Sequence, residues 1–131
     1  MVSASHRLVY RDNFTMGGGA YRLVFTVEPH PHDGDWWTVF HARATAVGLT
    51  SQVLELLDDG QAATLNVTVG LDNAERTADS VAELVADTDR EFEQNVLPAR
   101  QEAEARAKAE AERVARRLDE LDHILRGRFS A

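Results

Sequence analysis

The chain has 131 residues, a net charge of -8 and no cysteine; it has room for one ordinary domain plus an extension, and disulfides and thiolate metal centres are excluded. Its acidity argues against nucleic acid or an anionic membrane as the main partner. No apolar run approaches the length that spans a bilayer and Met1 to Arg7 holds no apolar signal core, so a cytoplasmic protein is expected.

In chain order, Arg7 to Phe14 reads as a short strand, Gly17, Gly18 and Gly19 as a turn. Tyr21, Leu23, Phe25 and Val27 then alternate with Arg22, Thr26 and Glu28, the pattern of a strand buried on one face, so these two segments are expected to pair as a hairpin. The stretch Pro29 to Asp35 is a polar loop. From Trp36 to Val47 a third strand is expected, with Trp36, Phe40, Ala42, Ala44 and Ala46 on one side and Trp37, Val39, His41, Arg43 and Thr45 on the other. Gln52 to Leu57 fits a short helix as well as a strand, but the turn Asp58, Asp59, Gly60, followed by the alternation of Ala63, Leu65, Val67 and Val69, favours a hairpin. Thr64, Asn66 and Thr68 would then face water. The expectation is an α+β protein, with about five antiparallel strands in meander-like order.

The rest of the chain is helical in pattern. Asp72 or Asn73 supplies an N-cap, with Glu75 at the capping-box position if Asp72 is the cap. Val81, Val85, Thr88, Phe92 and Val96 recur at steps of three and four, with Leu84 widening the stripe. A second stripe runs through Ala99, Ala103, Ala107, Ala111, Val114, Leu118, Leu121 and Leu125, weak in its first half and strong in its last. Pro98 lies between them and cannot donate to the helical ladder, so a break or kink is expected near Val96 to Pro98. Between Arg100 and Glu120, Glu102 with Arg106, Glu104 with Lys108 and Glu112 with Arg116 stand four apart in the favourable orientation. This predicts a β domain over 1–71 and a helical, coiled-coil-like arm over 72–131.

Few residues are arranged for chemistry. The loop holds His30 and His32 beside Asp33 and Asp35, and His41 follows. Two histidines two apart on a strand would share a face and chelate a divalent ion, but Pro31 favours a polyproline conformation that turns the rings apart. Gly17 to Gly19 lack the strand-to-helix context, lysine and hydroxyl of a phosphate loop, and Ser51 and Ser80 sit in no nucleophile motif. No catalytic, cofactor or metal residues are assigned.

What this favours is a non-enzymatic structural or interaction protein that oligomerises within a larger assembly, such as a virion, a tail-like particle or a multisubunit machine. The β domain would dock, and the arm would self-associate or capture a protein partner. The expected interface residues are Val81, Val85, Phe92, Val114, Leu118, Leu121, Ile124 and Leu125 on the arm, with Trp37 as an aromatic anchor. The alternative is a small-ligand or metal-binding regulatory domain that uses the region of His30, His32 and Trp37.

Overall fold

The structure, a computed structural model, describes residues 5–130. Met1 to Ala4, on which part of the reading of the N-terminus rests, lie outside the described residues. Strand β1 (Arg7–Gly17) and strand β2 (Ala20–Glu28) are followed by helix α1 (Gly34–Ala46), strands β3 (Leu54–Asp58) and β4 (Ala63–Val69), and helix α2 (Ala74–Glu91). A π-helical turn (Phe92–Val96) and helix α3 (Leu97–Phe129) complete the chain. By compactness the chain divides into two units, the first running to Val96 and the second starting at Leu97.

In the first unit, four strands form one antiparallel sheet in the order β1-β2-β4-β3. The β1–β2 hairpin turns where Gly17 pairs with Ala20. Gly18 and Gly19 have φ of 64° and 79°, a conformation that tight hairpin loops require and that side chains with a Cβ resist. Register sets the inner face: Phe25 lies opposite Leu65, Leu23 opposite Val67, and Leu54 opposite Val67 from the other side. Helix α2 packs on β1 and β4, and α1 packs against α2. The core they enclose holds Phe25, Val27, Leu65, Val67, Trp36, Phe40, Val81, Val85 and Phe92.

This is the expected α+β class, but one expected strand is a helix. Asp33 caps α1 by accepting from the Asp35 N–H at 2.9 Å, and Asp35 adds an acid to the first turn. Trp36, Val39, Phe40 and Ala44, at steps of three, one and four, are the buried residues. The alternation that suggested a strand divides this apolar face between two sides, whereas helical spacing gathers it on one. Among the described residues the sheet therefore has four strands, not five, and β4 reaches β2 only after α1 and β3 intervene. With β4 in the interior of the sheet, between Val24 and Glu55 of its neighbours, Asn66 is buried instead of facing water.

At the expected break or kink near Val96 to Pro98 the helical structure is not interrupted. Helical structure continues through Pro98, and the irregularity is the π-helical turn just before it. In a regular α-helix the proline ring would crowd the carbonyl four residues earlier, at Gln94. Gln94 belongs to the π-helical turn, whose hydrogen bonds span one residue more than those of an α-helix. At the start of α2 the cap is Asn73, whose side chain makes no cap bond to the helix and instead accepts from the Gly70 N–H at 2.9 Å.

Candidate functional site

Helix α3 has 33 residues and buries none of its side chains. Its Ala, Glu, Arg and Lys content favours helix at each position. The expected pair Glu102–Arg106 forms at 2.5 Å, and Glu110 with Arg113, Glu120 with Arg117 and Asp122 with Arg126 add further exposed pairs. Solvent screening keeps each of these exposed pairs weak. Against this polar background Val114, Leu118, Ile124, Leu125 and Phe129 are exposed, Leu118 at 60% and Phe129 at 72%, and Leu121 is half-buried.

The expected interface residues thus fall in three different settings. Val81, Val85 and Phe92 lie in the core of the first unit. Trp37 is half-buried, and its indole N–H donates to the Pro31 carbonyl at 2.8 Å. Val114, Leu118, Leu121, Ile124 and Leu125 form the apolar stripe of α3.

The histidines of the loop meet, contrary to the expectation that Pro31 turns them apart. The rings of His30 and His32 have centroids 4.2 Å apart. Folding brings Asp58 from the end of β3 to the same place, where it accepts from His30 Nε2 at 2.7 Å and from the Gly60 N–H at 2.9 Å. The His30 hydrogen bond, followed by that of Gly60, holds the Asp58 carboxyl below its ordinary value. With Nε2 donating, His30 presents Nδ1 as a buried atom with no hydrogen-bond partner among the described residues. His41 is on α1, where its ring faces Trp37 at 6.5 Å. Among the described residues no group of three or more His, Cys, Asp or Glu is placed to hold a metal ion.

A second cluster was missed in the sequence. Asp89 of α2 accepts from the His6 backbone N–H at 2.7 Å, from His6 Nδ1 at 2.6 Å and from the Trp36 indole at 2.8 Å. Burial pushes the Asp89 carboxyl up, but these three donors outweigh it and hold the group below the usual aspartate range. The cluster joins the residue before β1 to both helices. Its one sequence signal is Asp89 itself, four residues after Val85 and three before Phe92, an acid within an otherwise apolar stripe. His6 is 83 positions away and carries no local pattern.

An open cleft of about 580 Å³ lies between the second half of α1 and β3. Phe40, Ala44, Leu49 and Leu54 form its apolar lining, with His41, Ser51 and Glu55 among its polar groups. Ser80 donates to the Arg76 carbonyl at 3.0 Å within its own helix. Among the described residues no helix is long and apolar enough to cross a membrane. No protein family, curated protein or solved structure matches the chain.

Proposed function

We propose that this is a non-enzymatic assembly protein of the cytoplasm, in which the α/β unit serves as a docking body and α3 drives self-association. A particle built from many chains, such as a virion, a tail or a multisubunit machine, suits such a component. The single observation carrying the reading is the stripe Val114, Leu118, Ile124, Leu125 and Phe129, exposed on a helix that buries no side chain. Full burial of a leucine or isoleucine side chain stabilises by roughly 1.5–3 kcal/mol, so several on one face provide a driving force for pairing. The long run of exposed ion pairs before the stripe supports the helix without a core of its own.

Light scattering with small-angle X-ray scattering on the full chain tests this reading. Association is expected at micromolar concentration, and Leu118→Asp with Leu125→Asp is expected to return the mass to that of one chain while the circular dichroism of the first unit is kept. A single-chain mass for the unmodified protein at all concentrations would refute it.

A further inference from the structure

The exposed stripe of α3 carries information about orientation. Leu118 and Leu125 are seven apart, as are Val114 and Leu121, and together they follow the alternating steps of four and three of a coiled-coil seam. With Ala111, Leu118 and Leu125 at position a, Val114 and Leu121 fall at d, and Arg128 takes the last d position of the helix. The flanking positions are then also set: Arg117 and Ile124 at g, Asp122 and Phe129 at e.

From this charge and size pattern we infer that α3 pairs with a second copy of the chain in parallel and in register, an inference that rests on the self-association reading above. In a parallel pair each g residue faces the e residue five positions later on the other helix. Arg117 then meets Asp122 of the second copy, and Ile124 meets Phe129 of the second copy, so an ion pair stands beside the seam and an apolar pair extends it. Two-fold symmetry makes each contact twice. Asp122 already accepts from Arg126 of its own chain at 2.9 Å and has lone pairs left for a second arginine. Arg117 lies 3.3 Å from Glu120 in an exposed pair that is cheap to exchange.

The antiparallel arrangement centred on the same stripe is poorer at each of these positions. With Leu118 facing Leu121 of the other copy, position g faces g and e faces e. Arg117 would then stand over Ile124 and Asp122 over Ala115, with no charge partner for either. Those mismatches select the parallel form through the Arg117–Asp122 pair and the flanking Ile124–Phe129 contact, which outweigh the Arg128 side chains that meet at the end of the seam.

The absence of native cysteine makes the test direct, since a variant with one introduced cysteine has one thiol per chain. Ala111→Cys and Leu125→Cys, each in the full chain, are oxidised under mild conditions and read by mass. In the parallel in-register pair both variants form disulfide-linked dimers. In the antiparallel pair each thiol is more than about 15 Å from its copy at 1.5 Å per residue, so neither variant links, and the orientation is overturned while self-association stands. A single-chain mass for the unmodified protein overturns both, and a particle of three or more chains overturns the two-stranded assignment. Charge exchange gives an independent reading: Arg117→Glu is expected to weaken the dimer about fivefold and Arg117→Glu with Asp122→Arg to restore it. Failure of the double variant to restore affinity overturns the register.

Discussion

Helices α2 and α3 carry the same kind of signal and meet different fates. Both present apolar residues at steps of three and four on an otherwise charged helix. In α2 the stripe is enclosed: Val81 and Thr88 are 0% exposed and Val85 is 1% exposed. In α3 the equivalent stripe stands in the open. Amphipathic period shows that a face must be covered and says nothing about what covers it. The sheet covers α2, because β1 and β4 lie against it. In the proposed pair, a second copy covers α3.

The largest expected effect that sharpens this contrast is at Phe92, the buried aromatic of the π-helical turn. Phe92→Ala is expected to destabilise the first unit by about 3–5 kcal/mol in urea unfolding, a large share of the roughly 5–15 kcal/mol available to a domain. A loss below about 1 kcal/mol would mean that the α2 face is not covered as described.

Asp89→Asn comes next. It removes a charged acceptor shared by His6 and Trp36 and is expected to cost about 1–3 kcal/mol at neutral pH. The sign of its pH dependence follows from the lowered carboxyl. The contribution of Asp89 is fully present above the ordinary aspartate value and is lost as pH falls through its lower folded value. Unfolding curves in an acid series should therefore show the difference between the two proteins shrinking toward low pH. A difference that grows in acid would contradict the hydrogen-bond assignment.

The smallest effect is expected from Leu125→Ala, measured where the mass is that of one chain. An exposed position on α3 should change unfolding by no more than about 0.5 kcal/mol there. The same variant should lower stability at concentrations where the chain associates. An equal loss at both concentrations would place Leu125 in a core within one chain.

Much of this architecture is legible because local period and local burial agree. The alternation of Tyr21 to Val27 and of Ala63 to Val69 marks two strands that each bury one face more deeply. The apolar end of α3 can be read for the same reason. The segment from Trp36 to Ala46 misleads because its bulky residues fall on both sides of a two-residue alternation. Helix signals were present there too, in the cap Asp33 and in helix-favouring Ala42, Ala44 and Ala46, but they are weaker than the pattern of large side chains. The meeting of His30 with His32 and Asp58 was not legible, since Asp58 arrives through the placement of β3.

By itself, then, the sequence determined β1, β2 and β4 and the amphipathic stripes of α2 and α3, whose periods are properties of neighbouring residues. It also determined the apolar stripe of α3, with Arg117 and Asp122 at its edges. Only the tertiary structure decided that α1 is a helix, that β4 lies between β2 and β3, and that α2 belongs to the core. Those outcomes depend on contacts between residues far apart in the chain. So does the His6–Asp89–Trp36 cluster, whose hydrogen bonds require three separate segments to be in place together.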